Sequence, residues 1–460
     1  MSPPPVSPDD LPPRLTAPLQ IEMAGCRWLV SDQSVIDSLR RSGELLASPD
    51  SLGTVVKRGP HRTTWRVDLA GQTCYLKHSH SRSWASWLRK SLNGSPATRE
   101  FRRLAQLRAA GLPAPLPLAV AQPLRSSSSE SWLLTAAASG APLDELAPPE
   151  RRPSGTELSR VQRNELSRAL AGLLSDLHAR GFWHRDLHAG NLLWQSTAAP
   201  AGNSRLTLVD VAAIEPLRTP ISRARRWHNL AQLRHAFVLT ASRSDQLRCA
   251  SAYLADALQL TRQFTPALYH QALRDLAANC HSYSRQAWDK ADRKWARGNR
   301  RVVILSTPTA AVRGVARLSK PLLELVAQNP ANLPTDCEWR EFPRARALWE
   351  MGHALLRRGI PACEPLILRE TATGAGCVAF TKNGDRCEGI TPVQPDIARL
   401  QRQLADHGFA FADGCTAEDV VDLRGTLAVS PTGLARVVRL RAATAPPRIA
   451  MPSRSCSRAA

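Results

Sequence analysis

The stretch Gly181-Phe-Trp-His-Arg-Asp-Leu-His-Ala-Gly-Asn-Leu-Leu-Trp194 constrains this chain more than any other. Leu166, Leu170, Leu173, Leu174 and Leu177 lead into it at helical spacing, and Gly181 suits a helix C-cap. His184-Arg185-Asp186 follows, with Asn191 next and then an apolar strand, Leu192-Leu-Trp194. A second strand, Leu206-Thr-Leu-Val, ends in Asp210. A phosphoryl-transfer site needs its side chains in this order. Asp186 would orient or deprotonate a hydroxyl, while Asn191 and Asp210 would hold Mg²⁺ on a triphosphate. A lone His-x-Asp says almost nothing; the asparagine and the two flanking strands give it meaning.

Upstream, residues from Thr54 read as a small antiparallel sheet. Thr63 to Leu69 and Thr73 to Lys77 flank a hairpin turn at Gly71-Gln72. Lys77 ends that strand, where a nucleotide-binding lysine grips the α- and β-phosphates. A helix begins near Pro96, and Glu100 in its first turn is positioned to pair with Lys77. The loop Lys57-Arg-Gly-Pro-His-Arg-Thr63 has one glycine where a phosphate-covering loop carries three, so Arg58 and Arg62 become its candidate phosphate contacts. Ser131 to Thr135 reads as a strand. Ala136–Gly140 then reads as the hinge at which adenine would bind. Beyond Asp210, a basic run (Arg218, Arg223, Arg225, Arg226) is either a solvated face or a grip on an anionic acceptor.

Composition narrows the class. The 460 residues are 43% hydrophobic, which suits globular domains with sizeable cores. No apolar run approaches the roughly 20 residues of a membrane span, and the N-terminus lacks a basic, apolar leader, so a cytoplasmic location is expected. The ten cysteines form no Cys-x-x-Cys and no zinc-like spacing with histidine, which predicts reduced thiols. The net charge of +22 favours anionic partners. Because the basic residues are spread out and no binding module is recognisable, nucleic acid is the weaker partner.

With Lys77, Glu100, His184-Arg-Asp-Leu-His-Ala-Gly-Asn191 and Asp210 in order, the chain resembles the lipopolysaccharide kinase (Kdo/WaaP, InaA-like) family over about residues 53–301. Arg99-Glu-Phe-Arg-Arg, Ala110-Gly-Leu-Pro-Ala-Pro and the Trp- and Arg-rich end at 288–301 also carry the resemblance. It implies an α+β, bilobal, protein-kinase-like fold and transfer of the ATP γ-phosphate to a Kdo or heptose hydroxyl of the lipopolysaccharide inner core. Asp186 would be the base, Asn191 and Asp210 the Mg²⁺ ligands, Lys77 the phosphate lysine and Glu100 its partner. An anionic glycolipid acceptor and peripheral contact with the cytoplasmic face of the inner membrane follow. The departures are Val211-Ala after Asp210 and the poor glycine loop. Competing readings are a kinase for protein Ser/Thr or a soluble small molecule, and a pseudokinase scaffold.

The expected organisation is a Pro-rich extension (1–52), an N-lobe (53–139), a C-lobe (140–301), a shortened, degenerate kinase-like copy (302–443) and a disordered tail (444–460). The copy rests on two echoes. Arg346 to Pro361 follows the pattern of Arg99 to Pro113, and Leu400 to Phe409 that of Leu173 to Phe182. Counted from each Gly-Phe, Phe411 replaces His184, Asp413 falls at Asp186 and Glu418 at Asn191.

Overall fold

The computed structural model describes residues 19–42, 48–80, 95–124, 130–145, 158–195, 206–217, 221–260, 265–299, 301–307, 310–371, 376–381, 394–423 and 426–440. The Pro-rich start, the basic Trp-bearing loop from Arg82 to Lys90, Arg218 and the C-terminal tail lie outside them. The chain divides into two units, Met1–Ser284 and Arg285–Ala460, whereas the sequence suggested a boundary near 301.

In the first unit, strict alternation builds the sheet. Along Arg62–Leu69, the side chains of Thr63, Trp65, Val67 and Leu69 are buried and their neighbours are not, as expected for a strand with one face on a core. Seven strands pair antiparallel: β1 (Leu19–Met23), β2 (Cys26–Val30), β3 (Gly53–Arg58), β4 (Arg62–Leu69), β5 (Gln72–Ser79), β6 (Pro117–Pro123) and β7 (Ser131–Ala136). Their order is β1-β2-β6-β7-β5-β4-β3. The first two strands come from the segment expected to be an extension. Cys26–Val30 pairs with β6, so the sheet is wider than the sequence reading allowed. The β4–β5 turn puts Ala70 and Gly71 at φ 53° and 81°. Asp68 Oδ1 accepts from the Gly71 N–H at 2.8 Å, and this two-residue, left-handed turn matches the twist of a hairpin.

Helices cover both faces. On one, α1 (Gln33–Arg41) buries Val35, Ile36 and Leu39 against Trp28, Trp65 and Leu76. On the other, α2 (Pro96–Ala109) starts at a Ser95 cap accepting from the Thr98 N–H at 3.1 Å, with Pro96 in the first turn. Its Phe101, Leu104 and Leu107 join Val120 and Leu133 of the sheet and Leu170 and Leu174 of α3 (Arg160–Ala179) in one core. A capping box between Ser159 and Gln162 starts α3. After it come the short strands β8 (Ala141–Pro142, which precedes α3 in the chain), β9 (Phe182–His184), β10 (Leu192–Trp194), β11 (Leu206–Leu208) and β12 (Ile214–Pro216). The helices α4 (Arg223–Ala236), α5 (Arg243–Leu260) and α6 (Pro266–Ala296) complete the helical lobe. The expected α+β arrangement of a sheet lobe and a helical lobe is therefore present.

The second unit has a five-stranded antiparallel sheet: β13 (Val302–Ser306), β14 (Ala310–Val315), β15 (Cys337–Phe342), β16 (Ile367–Thr371) and β17 (Gly376–Thr381), in the order β13-β14-β16-β17-β15. Its wiring repeats the β1-β2-β6-β7-β5 part of the first sheet. β14 pairs with β16 as β2 pairs with β6, and β15, the strand before the helix Ala345–Arg357, pairs with β17 as β5 pairs with β7; β3 and β4 have no counterpart among the described residues. The later hairpins recur as well. Phe409–Phe411 pairs with Val437–Arg439 as β9 pairs with β12, and Val420–Asp422 pairs with Leu427–Val429 as β10 pairs with β11. The tying hydrogen bonds recur with them. Leu208 N–H donates to Pro113 O and Val429 N–H to Pro361 O; Arg185 N–H donates to Ala213 O and Ala412 N–H to Arg436 O. Val209 N–H donates to Asn191 O and Ser430 N–H to Asp419 O; Leu217 N–H donates to Gly181 O and Leu440 N–H to Gly408 O. In this register Asp419, not Glu418, stands at the position of Asn191, because one extra residue separates it from Asp413. Pro431 stands at the position of Asp210.

Candidate active site

Strand register decides which basic side chains can meet. Thr64 lies opposite Lys77, and Arg62 is two residues from Thr64, so Arg62 and Lys77 share the sheet face covered by α2. Glu100 projects from the first turns of α2 and is 1% exposed. Lys77 Nζ donates to Glu100 Oε1 at 2.7 Å. Arg62 Nη2 donates to the other oxygen, Oε2, and Arg62 Nη1 lies 3.4 Å from Asp210 Oδ1. Burial opposes the charge on Glu100, but the two cations outweigh it and hold the carboxyl below its usual range. Arg62 is pushed up from its ordinary value: burial disfavours its charge, and Glu100 and Asp210 more than compensate. Arg62 Nε is buried with no partner among the described residues.

Arg58 does not join this network. It lies opposite Thr63 and so on the other face, where its Nη2 is 3.0 Å from Asp50 Oδ1. Its candidacy as a phosphate contact is corrected accordingly.

The second half of the site is a loop held by its own backbone. Asp186 is exposed, and its main chain is fixed at both ends. Its N–H donates to His184 Nδ1 at 3.2 Å, and its carbonyl accepts from Asn191 Nδ2 at 2.8 Å. His184 is fully buried, and burial pushes its pKa down to about 4, so the ring is neutral and Nδ1 can accept. Asn191 has spent its amide nitrogen on Asp186, and its Oδ1 meets no donor among the described residues. Asp210 follows through the bond from Val209 N–H to Asn191 O at 2.8 Å. Its backbone is left-handed (φ 54°, ψ 50°), a conformation costly for most side chains and easier for Asp. Its side chain is half exposed. Side-chain ion pairs thus link Lys77, Glu100, Arg62 and Asp210, while Asn191 reaches the Asp186 loop through the Asp186 carbonyl.

Two residues were not anticipated. Asn229 and Gln232, on buried turns of α4, hold the loop from beneath. Asn229 Oδ1 accepts from His184 N–H at 3.3 Å, and its Nδ2 donates to His184 O. Gln232 Nε2 donates to Arg185 O at 2.8 Å, and its Oε1 accepts from Leu187 N–H at 3.3 Å. Both are buried between the apolar residues Trp227, Leu230 and Leu233. Polar side chains on an otherwise apolar helix face are the signal that marks them, since buried polar groups need partners.

The hinge segment leaves β7 with Ala137 N–H bonded to Thr73 O at 3.0 Å. At Gly140 (φ 113°) a Cβ would lie 2.9 Å from the Trp194 backbone, so only glycine fits where the chain passes the loop strands. Among the described residues no group of three or more His, Cys, Asp or Glu could hold a metal on its own. Asp210 and the free Asn191 oxygen are two hard oxygen donors, which suits a magnesium ion completing its shell with phosphate and water.

Residues 51–273 match the model of the lipopolysaccharide kinase (Kdo/WaaP) family. No curated protein matches the sequence. Among solved structures, WaaP in complex with acyl carrier protein is similar at 20% identity, over 57% of this chain and 98% of that one, with a TM-score of 0.39. The ROP18 kinase domain in complex with AMP-PNP and sucrose is similar at 14% identity, over 51% and 82%, with a TM-score of 0.33. Vaccinia related kinase 3 is similar at 12% identity, over 52% and 76%, with a TM-score of 0.26.

Proposed function

We propose, from the match of residues 51–273 to the lipopolysaccharide kinase (Kdo/WaaP) family, that this chain uses ATP and Mg²⁺ to phosphorylate a Kdo or heptose hydroxyl of the lipopolysaccharide inner core. The observation that carries the reading is the ion-pair run Lys77–Glu100–Arg62–Asp210 beside a loop in which Asn191 holds the Asp186 carbonyl. Glu100 aims the Lys77 ammonium at the phosphates, and the buried Arg62 Nε–H is a spare donor on the same side. Asp210 and Asn191 Oδ1 would hold Mg²⁺, which when bound neutralises charge on the transferred group. Asp186 receives the acceptor hydroxyl and takes its proton late. With both ends of its backbone anchored, its main contribution is alignment. No described helix is long and apolar enough to cross a membrane. The +22 charge supports peripheral attraction to an anionic surface at the cytoplasmic face of the inner membrane.

The test is incubation with labelled ATP and separate lipopolysaccharide, protein and metabolite fractions. Label is expected in lipopolysaccharide. Asp186→Ala should lose roughly 10²–10⁴-fold in transfer while still binding nucleotide. Normal turnover by that variant would remove the base assignment, and label in the protein fraction alone would move the acceptor.

We also infer that residues 302–440 are a degenerate relative of the first unit. The recurring hairpins, the tying hydrogen bonds and the shared strand order support this, with β3 and β4 lacking a counterpart among the described residues of the second unit. There the position of Asp210 is Pro431. Asp419 is fully buried, with its Oδ2 held by Arg436 Nη1 at 2.7 Å and by Thr416 and its Oδ1 without a partner among the described residues, so the Asn191–Asp210 pair is not repeated there.

A further inference from the structure

Beside Asp186 lies a basic and aromatic face that the phosphotransfer network does not use. Phe182 and His184 of β9 point into the core, so alternation turns Trp183 to the other side, where it lies opposite Glu215 of β12. Arg185, two residues on, shares that side and commits both its Nε and Nη2 to Glu215 Oε2 at 2.9 and 2.7 Å. The Trp183 ring carries two guanidinium groups: Arg225 at 4.8 Å from the ring centroid and Arg185 at 5.9 Å.

The neighbours of Arg225 on α4 are occupied. Arg223 pairs with Asp275, and Arg226 bonds Ile221 O at 3.0 Å. Among the described residues no carboxylate pairs with Arg225. Trp183 Nε1 is buried and likewise has no partner among them. A half-buried guanidinium stacked on an indole is stiff and partly stripped of water, so it is preorganised to bind an anion.

We propose that Arg225, braced on Trp183, is the acceptor-recognition residue of this kinase and binds an anionic group, a carboxylate or phosphate ester, on the sugar whose hydroxyl Asp186 receives. Arg185 shapes the same face but is neutralised by Glu215, so Arg225 supplies the free positive charge. Its chain position, at the start of the helix whose Asn229 and Gln232 clamp the catalytic loop, ties this charge rigidly to Asp186. The assignment rests on the lipopolysaccharide-core reading above and adds the feature of the acceptor that is recognised.

The experiment uses the full chain with deacylated core oligosaccharide in three forms: intact, phosphatase-treated and carboxyl-reduced. Wild type should lose about 10–100-fold in kcat/KM on whichever treatment removes the recognised anion, the range of one charge-assisted hydrogen bond. Arg225→Gln should raise KM for the intact acceptor by the same factor, leave KM for ATP unchanged and erase the preference among the three forms. Arg225→Lys should keep part of it. If wild type phosphorylates none of the three, the acceptor reading falls and this assignment with it. If wild type is active and Arg225→Gln keeps its preference, or loses ATP affinity instead, only the Arg225 assignment falls.

Discussion

Arg62→Ala tests the site where its two halves meet. In the structure Arg62 bridges Glu100 and Asp210, so the carboxylate proposed to hold Mg²⁺ is already engaged by a guanidinium. The Arg62–Asp210 contact is 3.4 Å long, and the Asp210 side chain is 50% exposed, so it is worth at most about 1 kcal/mol. Removing it should lower the Mg²⁺ concentration for half-maximal nucleotide binding by up to about 5-fold. On the other side, Glu100 keeps Lys77 at 2.7 Å but loses a charge-assisted bond in a buried place. That costs about 1–3 kcal/mol and should lower Tm by roughly 2–4 °C for each kcal/mol. Turnover should fall at least ~10-fold, because a cation is removed beside the developing phosphate charge. The assay is a Mg²⁺ titration at saturating fluorescent nucleotide, with melting and turnover in parallel. The variant should bind metal more readily, melt earlier and work more slowly. An unchanged or weaker metal response would refute the competition between Arg62 and Mg²⁺ for Asp210.

Two further outcomes follow from the same geometry. Asp210→Asn keeps a side chain tolerant of the left-handed backbone, so Tm should move by less than about 4 °C. Magnesium-dependent nucleotide binding by the full chain should drop at least ~10-fold, and binding that survives undiminished would point to a second site in residues 285–460. Acid should destabilise the first unit early. Burial pushes His178 and His184 down to about 4 from the ordinary 6.5. Between those values the unfolded chain takes up protons that the native state refuses. Stability is therefore complete above pH 6.5 and falls by up to about 1.4 kcal/mol per pH unit per histidine as pH drops towards 4. Melting at pH 7, 6 and 5 checks this, and equal midpoints would contradict the neutral assignment of both rings.

How much of this was legible in the sequence depends on whether the signal was local. The pairing of Lys77 with Glu100 is readable because one ends a well-alternating strand and the other opens a capped helix. The spacing from His184 to Asp210 is readable because two short apolar strands punctuate it. The bridging position of Arg62 was not, because it depends on pairing register: Thr64 must lie opposite Lys77 for Arg62 to reach the helix side. The same register sends Arg58 to the other face, although the two look alike along the chain. Leu19–Met23 joins the sheet through a local hairpin with Cys26–Val30, and that hairpin is placed by the long-range pairing of Cys26–Val30 with Pro117–Pro123, which is not legible along the chain. Asn229 and Gln232 escaped because Asn and Gln carry no motif. Their meaning lies in the buried carbonyls of His184 and Arg185, which they alone satisfy among the described side-chain bonds.

The clamp from α4 also bears on how this kinase works without a glycine after Asp210. Ala213 O accepts from Arg185 N–H at 3.0 Å, and Ile214 pairs with His184, so the segment after Asp210 is stitched to the loop that carries Asp186. Glu215 extends the stitch through two bonds to Arg185. A segment bound at three successive residues to a loop that is itself bound to a buried helix has little freedom to swing. An activation segment that must move needs a flexible residue at its start, and here Val211-Ala-Ala forms a short helical turn instead. The arrangement therefore favours a constitutively assembled site, in which the long, half-exposed ion pair between Arg62 and Asp210 is a contact that can yield.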